Sequence, residues 1–151
     1  MSDYRTWEEL CEAAQKKCHD ILKRDVAPIT KDIVKRHIQH DIYDAYTPIE
    51  HGWVNGTTYH RRHILEKTVY TTFIHDDEIM TTSNSTASKS VVPGYSFHNR
   101  RPGSFLQLLE SGNMGIWRGG FPRPAIGNAQ KEIDRSPAIR NAIQNGLNRY
   151  F

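Results

Sequence analysis

The sequence has no long hydrophobic run. Nowhere in its 151 residues do apolar side chains approach the roughly 20 consecutive positions that a membrane-spanning helix needs. The first five residues, Met1 to Arg5, also lack the apolar core of a secretory signal. We therefore expect a protein that is made and used in the cytoplasm, without contact with a membrane.

Cysteine is equally scarce. The two cysteines, Cys11 and Cys18, lie seven residues apart on a predicted helix. This spacing separates their Cα atoms by about 10 Å, beyond the roughly 7 Å limit for a disulfide bond. We predict free thiols in the apolar core.

Acidic residues are missing from two long segments, one between Glu78 and Glu110 and the other from His51 to Leu65. The basic residues inside these segments are Lys89, Arg100, Arg101, Arg61 and Arg62. Two loops are therefore locally cationic, although the net charge of the chain is only +3 and its pI is near 8.9. Because DNA-binding domains typically have a pI above about 9, the charge of the whole chain does not indicate nucleic-acid binding.

Recognisable metal-binding motifs are missing as well. Among eight histidines, His37 with His40 and His60 with His63 form His-x-x-His pairs, and the first pair has the spacing of zinc ligands on a helix. A zinc protease needs a glutamate between the ligands, whereas isoleucine and glutamine stand in the first pair and two arginines in the second. We predict surface or interface histidines and no metal site.

Catalytic motifs are not found either. The string from Phe97 to Arg101 contains a His-Asn pair, as His-Asn-His endonucleases do, but the chain lacks their second histidine pair and their structural cysteines. It also contains no glycine loop for phosphate, no serine nucleophile elbow and no cysteine in a polar setting. We expect that the chain is not an enzyme and needs no cofactor.

What the sequence does contain is a clear change of hydrophobic period. The N-terminal segment predicts a helix from Tyr4 to Lys23, with an apolar stripe at three-and-four spacing. The stripe consists of Trp7, Leu10, Cys11, Ala14, Cys18, Ile21 and Leu22. A second helix is predicted from Ile29 to Tyr46, with Thr30 as its candidate N-cap. Pro28 either separates the two helices or kinks a single long one.

The middle of the chain predicts an antiparallel hairpin. β-Branched and aromatic residues alternate from Leu65 to Ile74, a turn follows from His75 to Asp77, and Glu78 to Thr82 pairs back. A polar loop from Ser83 to Ser90 comes next, and then a short third strand from Val91 to Phe97.

The C-terminal part predicts helices again. Ser104 caps a brief helix, and a Gly- and Pro-rich arm from Asn113 to Gly127 leads to a helical region from Asn128. Ser136-Pro137 marks the cap and first position of the final segment. We predict an α+β fold with N-terminal helices, a central antiparallel β-hairpin or small sheet, a C-terminal helix and long loops. It forms a single domain over residues 1–151.

Three motifs carry a resemblance to a known family. Tyr43-Asp44-Ala45-Tyr46-Thr47-Pro48 is followed by Tyr59-His60-Arg61-Arg62, and Pro122-Arg123-Pro124-Ala125-Ile126 precedes the C-terminal helix. These segments resemble a family of minor tail components of long-tailed bacteriophages, also described as neck or tail-completion proteins. The chain departs from that family's pattern after the paired arginines, where Gly-Gly-Leu is usual, and after the Arg-Pro, where an aromatic residue is common.

The resemblance implies a structural virion protein that is located in the neck or tail of the particle and is assembled in the host cytoplasm. Such a subunit would form an oligomeric ring by head-to-tail contacts between copies of itself. The ring would join head connector or adaptor proteins to tail terminator or tail tube proteins, with genome DNA passing through its lumen. The interface residues expected on this basis are Tyr46, Trp53, Tyr59, Arg61, Arg62, Arg100, Arg101, Trp117, Arg123 and Pro124.

An alternative function is nucleic-acid binding. Arginines and aromatic residues share the two cationic loops, for example Arg61 with Tyr59 and Arg100 with Phe97, and this combination suits phosphate contacts with base stacking. The same residue types are enriched at protein interfaces, where desolvated aromatic and arginine side chains carry binding energy. We favour the protein interface, because the overall charge is modest.

Overall fold

A computed structural model describes residues 5–45, 63–75, 77–83, 110 and 122–150 of the chain. Its elements form a mixed α+β fold that is mostly helical, as the sequence predicts. The elements are α1 (Trp7–Ile21), α2 (Ala27–His37), α3 (Ile64–Lys67), β1 (Val69–His75), β2 (Glu78–Ser83), α4 (Ala125–Arg135) and α5 (Pro137–Tyr150). The predicted third strand, the brief helix from Ser104 and most of the Gly- and Pro-rich arm lie outside the described residues.

The start of α1 is set by local hydrogen bonds. Thr6 is the N-cap, and its side-chain oxygen accepts a hydrogen bond from the backbone N–H of Glu9 at 3.2 Å. The Glu9 carboxylate in turn accepts one from the backbone N–H of Arg5 at 2.8 Å. Because this reciprocal pattern satisfies free donors at a helix start, the helix begins at Trp7 rather than at the predicted Tyr4.

Residues 7–44 form one continuous helix, which decides between the two alternatives that the sequence leaves open. A wider π-helical segment, Leu22–Val26, joins α1 to α2, and a second one, Ile38–Asp44, extends α2. The backbone N–H of Ala27 donates to the carbonyl of Leu22, five residues back. Pro28 has no N–H, and its ring collides with the carbonyl four residues earlier in a regular α-helix, so the widened turn just before it lets the helix continue.

The predicted capping role of Thr30 is wrong. Thr30 lies inside the continuous helix and is buried, and its hydroxyl donates to the carbonyl of Ala27 at 3.0 Å. The same hydroxyl is 3.0 Å from that of Thr81 on the hairpin, and Thr81 is 2.9 Å from Thr71. A threonine that resembles a helix cap therefore provides a polar contact between helix and sheet.

The hairpin is confirmed with small shifts at its ends. β1 and β2 pair antiparallel, from Val69 opposite Ser83 to His75 opposite Glu78, with a bulge between Phe73 and His75. β1 starts at Val69 instead of Leu65 because the preceding residues form the short helix α3. Ser83, predicted as the first residue of a polar loop, is buried at the end of β2, and its hydroxyl donates to the carbonyl of Leu65 at 2.8 Å.

The two C-terminal helices meet at the predicted Ser-Pro signal. Ser136 has an extended backbone, and its hydroxyl accepts a hydrogen bond from the N–H of Ile139 at 3.4 Å. Pro137 occupies the first position of α5, where a missing N–H costs nothing. α4 begins at Ala125, three residues before the predicted start of this helical region.

The described core lies where α2, the hairpin, α4 and α5 meet along the long helix. Its buried apolar residues are Ile21, Val26, Ile33, Val34, Ile38, Ile42, Leu65, Val69, Ala125, Ala129 and Ile139. The small size of Gly146 on α5 permits close packing, because a Cβ there would lie 2.7 Å from side-chain atoms of Ile21. Within the described residues, none of the helices combines the length and the apolarity that crossing a bilayer requires.

The predicted apolar stripe of α1 is buried only at its C-terminal end. Trp7 is 73% exposed and Leu10 is 37% exposed, whereas Ile21 is buried. Cys11 and Cys18 are free but only half-buried, so the prediction that both belong to the core is wrong. The reason is the placement of the covering elements, since α1 contacts α5 and the hairpin through residues of its C-terminal half: Lys17, His19 and Ile21.

Candidate functional site

The predicted interface lies mostly outside the described part of the chain. Eight of its residues lie outside the described residues: Tyr46, Trp53, Tyr59, Arg61, Arg62, Arg100, Arg101 and Trp117. The other two directly precede α4, where the carbonyl of Arg123 accepts from the N–H of Ala125 and that of Pro124 accepts from the N–H of Asn128, both at 2.8 Å. Arg123 and Pro124 therefore stand at the entry to the C-terminal helices, and their role in an interface stays a prediction.

A polar cluster joins the end of the long helix to α4, and it is the densest group of charged contacts in the described part of the chain. On the long helix, His37 and Asp41 are four residues apart and so share one face. On α4, Asn128 and Glu132 have the same spacing and face the first pair. Two i, i+4 pairs on packed helices thus bring together an imidazole, two carboxylates and an amide.

His37 lies between the two carboxylates. Its Nδ1 is 2.9 Å from Oδ2 of Asp41, and its Nε2 is 2.9 Å from Oε2 of Glu132. The side chain is only 20% exposed. An imidazole donates from both nitrogens only when it is protonated, so this geometry suits an imidazolium.

Asp41 is the hub of the cluster. Its Oδ1 is 2.8 Å from Nδ1 of His40, and its Oδ2 accepts a hydrogen bond from the side-chain amide of Asn128 at 3.0 Å. Burial favours the neutral acid, but hydrogen bonds from His40, Asn128 and His37 outweigh it and lower the pKa of Asp41. The hydrogen bond to Asp41, followed by the charge of Asp41, raises the pKa of the exposed His40.

Glu132 completes the connection from the side of α4. Its Oε1 is 2.5 Å from Nη2 of Arg36, so the carboxylate contacts Arg36 and His37 on the long helix at once. Burial again opposes ionisation, but the hydrogen bond from His37 and the charge and hydrogen bond of Arg36 lower the pKa of Glu132. The carboxylate is therefore held in its charged form between two helical partners.

A third carboxylate, that of Glu110 in the segment between β2 and α4, anchors the start of α4. The oxygens of Glu110 accept hydrogen bonds from the backbone N–H groups of Ile126 at 3.0 Å and Gly127 at 2.7 Å. Pro124, at the N-cap, offers no side-chain acceptor. Glu110 therefore caps α4 although it lies about 15 residues earlier in the chain, and its negative charge lies at the positive end of the helix dipole.

The chemistry open to this site is proton exchange and ion pairing. Among the described residues, no group of three or more histidine, cysteine, aspartate or glutamate side chains is arranged to hold a metal ion. The two nitrogens of His37 lie on different edges of the ring and face different carboxylates. A single ion therefore has no position from which to reach all of them.

Sequence reasoning missed most of this cluster. The sequence indicates His37 and His40 only as a possible pair of metal ligands, and none of its motifs includes Asp41, Asn128, Glu132 or Glu110 as a candidate site residue. The i, i+4 spacings of His37 with Asp41 and of Asn128 with Glu132 are visible in the sequence. Nothing in the sequence, however, indicates that the two faces meet.

Comparison with protein families identifies the chain. The family model YomN matches residues 6–149, which is nearly the whole length. Searches of curated proteins and of solved structures gave no significant match. The matched family is a Bacillus phage-like protein family, which agrees with the phage part of the resemblance but gives no indication of a neck or tail-completion role. The protein belongs to the YomN family.

Proposed function

We propose that this chain is a structural virion protein, part of the head-tail neck or tail-completion ring of a tailed bacteriophage. It joins the head connector to the tail by protein–protein contacts, with copies of itself as its neighbours in the ring. The observation that carries the proposal is the match to a phage-like family over residues 6–149. The motif resemblance at Tyr43 to Arg62 and around Arg123 supports the more specific assignment to the neck.

Exposed apolar side chains support a role in assembly. Six large ones are at least 37% exposed in the described part of the chain: Trp7, Leu10, Tyr70, Ile74, Met80 and Ile143. Tyr70 and Met80 lie on the same outer face of the hairpin, since Met80 pairs with Thr72 and Thr72 points to the same side as Tyr70. Exposed apolar surface of this kind is typical of protein interfaces.

Two parts of the chain, the hairpin and the arm that precedes α4, would make the ring contacts. The hairpin exposes Tyr70 and Met80. In a head-to-tail ring these side chains would contact a different surface of the neighbouring subunit. The arm that enters α4 at Arg123 and Pro124 is the second contact in this proposal. Trp53, Tyr59 and Trp117 would fill pockets of a neighbour, and Arg61 and Arg62 would pair with carboxylates.

The test is electron microscopy of particles that are produced without this chain, with counts of filled heads, free tails and joined virions. Filled heads beside unattached tails are the expected result. Normal, joined particles would contradict the proposal, and binding of duplex DNA with strong salt dependence would then favour the nucleic-acid alternative.

Complementation with variants makes the test specific to a surface. The double variant Tyr70→Ser with Met80→Ser should reduce the yield of joined particles by at least about tenfold, because interface hot spots cost 2 kcal/mol or more when truncated, roughly a factor of 30. Lys131→Ser, on the exposed side of α4, is the matched control and should complement fully. Circular dichroism of each variant separates loss of assembly from loss of folding, and full complementation by the folded double variant would remove the hairpin from the interface.

A further inference from the structure

The joint between the long helix and α4 combines close apolar packing with charge. Ala125 and Ala129 are almost completely inaccessible, at 0% and 1% exposure, and Ile38 is fully buried. Small residues on α4 let the two helices approach closely, which brings Glu132 within hydrogen-bond distance of His37. The charged contacts at the rim of this joint are therefore short and partly shielded from solvent.

The net charge of the polar cluster at the edge of this joint depends on whether His37 and His40 are protonated. Asp41 and Glu132 contribute two negative charges and Arg36 contributes one positive charge, so the cluster is negative when both imidazoles are neutral. A neutral His37 must also present a lone pair to one of two carboxylate oxygens, each 2.9 Å away. The protonated ring instead donates to both carboxylates. One proton thus changes a repulsive contact into a charge-assisted hydrogen bond.

We propose that α4 is held on the long helix by a proton-dependent latch centred on His37, which closes when the ring is protonated and loosens when it is neutral. The charged and titratable groups that face the ring are Arg36, His40 and Asp41 from the long helix and Glu132 from α4. The Glu110 cap and the Arg123-Pro124 segment are at the N-terminal end of α4. In this proposal, that end of α4 also loosens from the long helix when the latch opens.

The direction of the effect follows from the partners. Both carboxyl groups have lowered pKa values, so they stay charged throughout the range in which imidazoles titrate. Protonation of His37 therefore gives each carboxylate a charge-assisted hydrogen bond and strengthens the joint. The latch concerns this chain alone and does not depend on the proposed place in a virion.

Hydrogen–deuterium exchange of the α4 peptides, corrected for the intrinsic rate at each pH, tests the latch. In the unaltered protein, protection of α4 should fall roughly two- to tenfold between pH 6 and pH 8, the range expected for a partly exposed charge-assisted contact. His37→Gln should reduce this pH dependence, because only the exposed His40 then remains as a titrating partner of Asp41, while the hairpin peptides keep theirs. His75→Gln, an exposed histidine on β1, is the matched control and should behave as the unaltered protein does.

Two results would overturn the latch. One is protection of α4 that does not change with pH in the unaltered protein, and the other is an undiminished pH dependence in His37→Gln. Glu132→Gln provides a second variant if His37→Gln does not fold, because it removes the carboxylate on α4 and keeps a hydrogen-bonding side chain of the same size. It should reduce the pH dependence, and full retention of that dependence would equally refute the proposal.

Discussion

At the scale of single residues, Glu110 shows how a helix start is completed by a distant part of the chain. α4 begins after Pro124, which cannot accept a hydrogen bond with its side chain, and the N–H groups of Ile126 and Gly127 are satisfied by the Glu110 carboxylate instead. A Cβ on Gly127 would lie 3.0 Å from that carboxylate, so the glycine leaves room for it.

Replacing this carboxylate should weaken the fold. We expect Glu110→Ala to lower the free energy of unfolding by about 1 kcal/mol, the usual cost of losing a helix cap. Glu110→Gln keeps one acceptor oxygen and loses the charge, so about half of that effect is expected. Urea denaturation measures both, with Glu12→Ala on the exposed face of α1 as the control. An unfolding free energy unchanged in Glu110→Ala would show that the capping contact contributes nothing.

At the scale of elements, the joint between the long helix and α4 is held by ionisable side chains from both helices. On the acid side, the relevant groups are Asp41 and Glu132, whose pKa values are lowered in the folded state. A lowered carboxyl pKa contributes stability that is fully present above the unfolded value near 4 and is lost as the pH falls through the folded value.

The lowered pKa values of Asp41 and Glu132 predict an acid limb in the pH profile of stability, a range in which the free energy of unfolding falls with the pH. The free energy of unfolding should decrease as the pH falls from about 5 to about 2, and Asp41→Asn should make that decrease shallower because the variant has no charge to lose. Asp134→Asn, on the exposed side of α4, should keep the limb of the unaltered protein. Denaturation series at several pH values give the slopes, and equal slopes in Asp41→Asn and the unaltered protein would contradict the assignment.

Two π-helical segments in the long helix determine which of its residues face the core and which face α4. These segments, Leu22–Val26 and Ile38–Asp44, change the angular position of every residue that follows. The second segment contains the buried Ile38 and Ile42 as well as Asp41, so the same turn supplies both core residues and the hub of the polar cluster.

At the scale of the whole molecule, the described fold leaves apolar surface at the N-terminal end of α1 and on the outer face of the hairpin. Residues so exposed contribute little to the stability of the chain by itself. In the proposed virion subunit, these side chains would contact a neighbouring subunit.

Substitution of Trp7 distinguishes an effect on stability from an effect on assembly. Because it is 73% exposed, Trp7→Ser should change the free energy of unfolding by no more than about 0.5 kcal/mol. If α1 belongs to an interface, the same variant should complement joined-particle formation several-fold less well than Glu12→Ser, an exposed polar control on the same helix. Equal complementation by both variants would exclude Trp7 from the interface.

Prediction from sequence succeeded where the signal is local. Alternating β-branched residues around Thr71 and Thr72 indicate the hairpin, and Ser136-Pro137 indicates the start of the last helix, because a strand or a cap depends on a few adjacent residues. It failed where burial was the question: the apolar stripe of α1 resembles a core face, yet Trp7 is exposed. Periodicity reports that a face is apolar, but only the packing partners decide whether it is covered.

The sequence by itself therefore determined the element types, the hairpin and the Ser-Pro cap, and its motifs pointed to a phage-related family. Tertiary structure alone decided that the N-terminal helices are continuous, that Thr30 binds the hairpin rather than capping a helix, and that His37 lies between Asp41 and Glu132. The physical reason is separation along the chain. Residues 37 and 132 act on each other only because the apolar core that contains Ile38, Ala125 and Ala129 brings their helices together.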